Sequence, residues 1–223
     1  MTKELFFQAI FKFALGLILI ALLLFLPAGT LRYWNGWLLI AILFVPMFFA
    51  GIVMMLRNPE LLKKRLNAKE DEAEQKTVIV LSGIMFLAAF VTAGLNYRFG
   101  WIVMPRWTAL LAAGAFLAAY LMYAEVLREN AYLSRTIEVQ EHQEVIDTGL
   151  YGIVRHPMYA ATVILFLSMG LILGSPISFF ILLFYLPIIA KRIKNEEAVL
   201  MQGLDGYQAY REKVKYKVIP FIW

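Results

Sequence analysis

Two short polar clusters stand out in an otherwise apolar chain: Arg155-His156-Pro157, and Lys191-Arg192-Ile193-Lys194-Asn195-Glu196-Glu197. Pro157 biases His156 away from helical geometry and can itself open a helix. That bend would gather Arg155, His156 and backbone N–H groups at a helix start, a place that attracts anions such as carboxylates. In the second cluster Arg192 and Glu196 are four residues apart and share a helical face, with Glu197 one position around. Ionisable groups at the end of an apolar helix are costly unless paired or functional. A snorkelling basic collar with surface ion pairs gives the same pattern, and a lone interfacial histidine often serves structure alone. Spacing by itself leaves these readings open.

The residues between and around the clusters narrow the chemistry. Thr136 to Val145 alternates β-branched and polar residues weakly, which predicts an extended loop or short strand. Asp147-Thr148-Gly149 predicts a turn. The chain has two histidines, His142 and His156, and no cysteine. A three-histidine metal site, a thiolate zinc site, a thiolate nucleophile and a disulfide are therefore all excluded. No Walker phosphate loop, Gly-x-Gly-x-x-Gly fingerprint or Gly-x-Ser-x-Gly elbow is present. The net charge of +5 does not point to nucleic acid, because the basic residues flank apolar spans.

Those spans must position the clusters. Of the 223 residues, 61% are hydrophobic and 17% charged, and the mean hydropathy is +0.70. Soluble domains carry about 45–50% apolar and about 25% charged residues. A bilayer-spanning helix needs about 20 apolar residues. The pattern predicts an all-α integral membrane protein with about six spans. They fall near 5–26, 36–56, 77–95 and 107–127, followed by a shorter pair near 158–173 and 176–190. Gly174-Ser175-Pro176 makes that pair a tight helical hairpin. The first span resembles a leader segment, with Lys3 and Lys12 before a leucine-rich run. A second span only about ten residues later favours a retained helix. The 57–76 segment mixes both signs of charge and reads as a solvated connecting helix or an amphipathic surface helix. Lys and Arg divide unevenly between alternate segments: 18 of 21 lie on the side of the termini, and only Arg32, Arg98 and Arg106 lie opposite. Positive loops stay cytoplasmic, so both termini are expected inside, in a prokaryotic inner membrane.

Several runs then fall into a recognisable order. Thr148-Gly149-Leu150-Tyr151-Gly152-Ile153-Val154-Arg155-His156-Pro157-Met158-Tyr159 precedes the hairpin. After it come Arg192-Ile193-x-x-Glu196-Glu197-x-x-Leu200, Gly206-Tyr207-x-x-Tyr210 and Ile219-Pro220-x-x-Trp223. This set resembles the isoprenylcysteine carboxyl methyltransferase family and its prokaryotic members, which are related to membrane phospholipid methyltransferases. Upstream, Arg57-Asn58-Pro59-Glu60-Leu61-Leu62, Asn96-Tyr97-Arg98-Phe99-Gly100-Trp101 and Glu129-Asn130 match more loosely. Leu150 departs from the pattern, since relatives often carry proline there.

The resemblance implies residues 1–127 as four N-terminal spans and 128–223 as a methyltransferase-like region with a cytoplasmic cofactor pocket. By similarity, Val145, Ile146, Thr148, Gly149, Tyr151, Val154, Arg155, His156, Pro157 and Tyr159 would surround S-adenosylmethionine. Glu197 or Glu196 would hold its ammonium, a pairing that suits a carboxylate. Arg192 and Glu196 would be catalytic. Arg192 would orient a carboxylate acceptor, whereas an amine acceptor would make Glu196 the base. The expected partners are a membrane lipid or lipidated small molecule and the bilayer, with no nucleic acid and no metal. A nicotinamide-dependent reductase of the sterol reductase type is the alternative enzyme class.

Overall fold

A computed structural model describes residues 3–66, 73–133 and 139–223. Its helices are α1 (Lys3–Ala28), α2 (Trp34–Arg57), α3 (Pro59–Leu66), α4 (Ala73–Phe99), α5 (Arg106–Glu129), α6 (Pro157–Ile172), α7 (Pro176–Leu182), α8 (Tyr185–Gly203) and α9 (Tyr207–Lys213). A 3₁₀ turn covers Gly149–Gly152, and the described residues contain no strand. The protein is an all-α integral membrane protein. Five helical stretches are long and apolar enough to cross a bilayer: Glu4–Ala28, Trp34–Arg57, Lys76–Phe99, Arg106–Glu129 and Pro176–Gly203. Phe7, Phe11, Leu15, Ile18, Leu22 and Leu26 recur along one exposed face of α1. On a helix long and apolar enough to cross a bilayer, that stripe suits lipid as its solvent.

The second arm of the expected hairpin differs from expectation. It does not end near residue 190 but runs to Gly203, broken at Leu183–Phe184. Pro187 fits the break: it has no N–H to donate to the carbonyl of Leu183, and it falls in the first turn of α8, where that donor is not needed. The first arm, α6, has 16 residues and is about 24 Å long at about 1.5 Å per residue. That is less than the hydrocarbon thickness of about 30 Å. Its C-terminal carbonyls therefore end where water is scarce, and side chains satisfy them. Tyr33 Oη donates to Leu173 O at 2.5 Å and Asn35 Nδ2 to Ile172 O at 2.6 Å. Asn96 Nδ2 reaches Gly174 O at 3.3 Å. Gly174, at φ +66°, closes the helix in the left-handed conformation that favours glycine.

Close packing rests on small residues, as between helices in lipid. Ala109, Ala112, Ala113 and Ala119 of α5 are buried, and α5 packs along α6. A Cβ on Gly170 would come within 2.5 Å of Phe179 N, so α6 and α7 touch backbone to backbone. The core joins Leu24, Tyr33, Leu39, Phe116, Ile172, Leu182, Ile189 and Ile193.

Within the expected 57–76 connection a helix does form. Asn58 Oδ1 accepts from Leu61 N at 3.1 Å and Pro59 opens α3, the usual cap chemistry. Leu61 and Leu62 are buried. Lys12 Nζ donates to Leu66 O at 2.6 Å, and Arg65 donates to the Tyr123 hydroxyl. Residues 67–72 lie outside the described residues, as do Thr136 to Glu138 of the expected extended segment. The remainder of that segment, 139–145, is irregular.

Candidate active site

Four pieces of chain meet at the end of the bundle that carries α3. They are the start of α6, the middle of α8, the irregular segment from Val139 through the 3₁₀ turn, and α9 with the tail after it. Arg155 and His156 precede Pro157, the first helical residue of α6. Their N–H groups donate to Tyr216 O at 2.9 Å and Lys217 O at 2.8 Å. The buried Arg155 side chain donates to Val214 O at 2.7 Å and Lys215 O at 2.8 Å, and through Nε to Glu197 Oε1 at 2.8 Å. The amides of Arg155 and His156 are therefore not among those open to an anion. Buried N–H groups must be paired, and the tail pairs them.

Glu197 is the counter-charge of this corner. It is 7% exposed. Besides Arg155, His156 Nε2 lies 3.2 Å from its Oε1, and Lys217 Nζ lies 3.2 Å from its Oε2. Glu196, one residue earlier, takes a different place. Its carboxylate accepts from the Tyr159 hydroxyl, and that hydroxyl accepts from Arg192 Nε at 2.9 Å. The four-residue spacing thus brings Arg192 and Glu196 to one shared oxygen. The Tyr159 ring stacks on His156 at 5.6 Å between centroids.

The 3₁₀ turn is held from α5. Gly149, at φ +50°, leaves room for the Glu129 carboxylate, which any Cβ there would strike. Glu129 Oε2 accepts from Leu150 N at 3.2 Å, and Asn130 Nδ2 donates to the Tyr151 hydroxyl at 2.9 Å. Tyr210 Oη donates to Tyr151 O at 2.8 Å, and Lys213 Nζ to Asp147 Oδ2 at 2.7 Å. The Lys213 hydrogen bond holds the Asp147 carboxyl below its ordinary value. Burial pushes the Tyr151 hydroxyl up to about 12, against the hydrogen bond from Asn130. Burial also raises Tyr207 and Tyr210.

These parts line an open cleft with about 100 Å³ of internal space. Of the residues expected at the site, Val145, Ile146, Tyr151, Arg155, His156, Tyr159, Arg192 and Glu196 line it. Thr148, Gly149, Val154, Pro157 and Glu197 stand outside the lining. Asn130, Tyr132, Gln143, Glu144, Met158, Leu200, Leu204, Tyr207 and Tyr210 also line it, and no role had been read for them. Leu200 was within reach of helical reasoning, being one turn beyond Glu196. Nothing local marks Gln143 or Glu144. Among the described residues no cluster of three or more His, Asp or Glu side chains could hold a metal.

Residues 109–202, from α5 to the end of α8, match the isoprenylcysteine carboxyl methyltransferase (ICMT) family. The match supports that family for this chain. The matched stretch contains Arg192, Glu196 and most of the cleft lining. A Delta(14)-sterol reductase of Mus musculus is 26% identical over 91 residues, 40% of this chain and 22% of that protein. The chain thus aligns with about a fifth of the length of that relative.

Proposed function

We propose that this chain is an ICMT-type membrane methyltransferase that uses S-adenosylmethionine to methylate a membrane-embedded lipid or lipid-like acceptor, with a carboxylate as the favoured acceptor group. The observation that carries this reading is the Arg192–Tyr159–Glu196 chain on one wall of the cleft. It puts a cation and a carboxylate side by side in a cleft where a few convergent polar groups sit among apolar walls.

The lining fits the cofactor. Glu196 is a carboxylate for its ammonium, and Tyr151, Met158, Leu200 and Leu204 offer apolar and aromatic surface for an adenine. Val145 and Ile146 add a wall from the loop. Bound there, the cofactor would supply an electrophilic methyl group. Arg192 would orient the acceptor carboxylate, which is ionised near neutral pH and needs no general base. An amine acceptor would instead need Glu196 to take a proton. Arg155, His156 and Glu197 would hold the wall rigid from behind, and Thr148, Gly149, Val154 and Pro157 would shape the turn. Catalysis would come chiefly from positioning and exclusion of water. Residues 128–223 would be the catalytic unit and 1–127 its embedded scaffold. The 18-to-3 split of basic residues supports a cytoplasmic cleft and termini, and the resemblance to prokaryotic family members would place the protein in an inner membrane.

The likeness to a sterol reductase favours a second reading, a nicotinamide-dependent reductase. Calorimetry on detergent-purified protein separates the two. Saturable binding of S-adenosylhomocysteine and none of reduced nicotinamide cofactor is expected. Absence of saturable S-adenosylhomocysteine binding would overturn the proposal.

A further inference from the structure

Tyr207 belongs to the Gly206-Tyr207-x-x-Tyr210 run, to which no role was attached, and it lies beyond the stretch matched to the family. Its side chain is buried, 4% exposed, and lines the cleft. Its hydroxyl oxygen is buried and has no hydrogen-bond partner. A buried hydroxyl left unpaired is costly, and the rare native example asks for an explanation.

The neighbouring donors are committed. The Tyr159 hydroxyl bridges Arg192 and Glu196, and Tyr210 Oη donates to Tyr151 O. Asn130 Nδ2 donates to Tyr151, and Tyr132 Oη to His142 O. Arg155 is taken up by Glu197 and the two tail carbonyls. Burial first, then the charges of Glu197 and Glu196, raise the pKa of the Tyr207 hydroxyl, so it keeps its proton and sits within reach of their field.

We infer that the Tyr207 hydroxyl donates a hydrogen bond to the carboxylate of the α-amino-acid end of the cofactor. The inference rests on the reading that the cleft holds S-adenosylmethionine. In an α-amino acid the carboxylate is one carbon away from the ammonium. With the ammonium on Glu196, a second carboxylate is brought in beside Glu196 and Glu197. It needs a neutral or cationic donor there, and Arg155 is already engaged.

The test compares S-adenosylhomocysteine with 5′-methylthioadenosine, which keeps the nucleoside and thioether but lacks the amino-acid end. Both are titrated calorimetrically into the full chain and into Tyr207→Phe, which retains the ring packed 5.8 Å from Tyr210. Tyr207→Phe is expected to bind S-adenosylhomocysteine roughly tenfold more weakly and methylthioadenosine as the parent does. An equal loss for both ligands puts the hydroxyl on the nucleoside and overturns the inference; so does undiminished S-adenosylhomocysteine binding. A parent protein that binds neither ligand is a different result and overturns the methyltransferase reading itself.

Discussion

Both glutamates approach the His156 ring, but Glu196 shares the Tyr159 hydroxyl with Arg192 whereas Glu197 pairs with Arg155 and Lys217, and the two should therefore fail differently. Glu196→Gln is expected to weaken S-adenosylhomocysteine binding tenfold or more, roughly the worth of a charge-assisted hydrogen bond, while the unfolding temperature barely moves. Glu197→Gln leaves the buried Arg155 without its counter-charge. Breaking a buried pair costs about 3–5 kcal/mol, so this variant should unfold many degrees lower in detergent as well as bind poorly. Equal melting of both variants would show that the pair is not divided in this way. Arg192→Ala should lower turnover at least a hundredfold, about 2.7 kcal/mol of transition-state stabilisation, with cofactor affinity within about threefold of the parent. The sequence carried Arg192 and Glu196 onto one face by spacing. It could not divide Glu196 from Glu197, because both are plausible ligands until the tail and α6 are packed against α8.

At the scale of helices, the tightness of the α6–α7 hairpin depends on Gly170. A Cβ there would press on the Phe179 backbone, which has no flexible side chain to swing aside. Gly170→Ala is expected to cost about 1–3 kcal/mol through overpacking, seen as a lower unfolding temperature. Gly114→Ala, with nothing within 4 Å of its added methyl, should be neutral or slightly stabilising, because alanine is the better helix former. Long apolar runs made α1, α2, α4 and α5 legible from residue types alone. The second hairpin arm was cut short at 190 because Lys191 to Glu197 look like an exit into water. In the folded chain α8 carries them on, with Ile193 and Glu197 buried against the site. Apolar periodicity cannot see that a polar stretch stays inside when its partners are polar too.

For the whole molecule, the proposed orientation predicts which surface meets which compartment. The chain has no cysteine, so single cysteines can report it. Glu141, with its side chain 90% exposed, lies in the loop at the cleft end, and Val103, 84% exposed, lies between α4 and α5 at the other end. In inside-out membrane vesicles an impermeant maleimide should label Glu141→Cys and spare Val103→Cys; the reverse would invert the topology. The charge asymmetry that supports this orientation was visible in the sequence. The joining of the site to the tail was not, because it is made largely by backbone carbonyls, which every residue type carries. That joining has a temporal side. Residues 214–217 follow all the helices in the order of synthesis, and until they emerge the amides of Arg155 and His156 have no acceptor from the tail. The embedded bundle can assemble while the chain is still being made. The cleft then matures after the bundle, and a nascent chain halted before residue 214 should insert in the membrane yet hold no ligand.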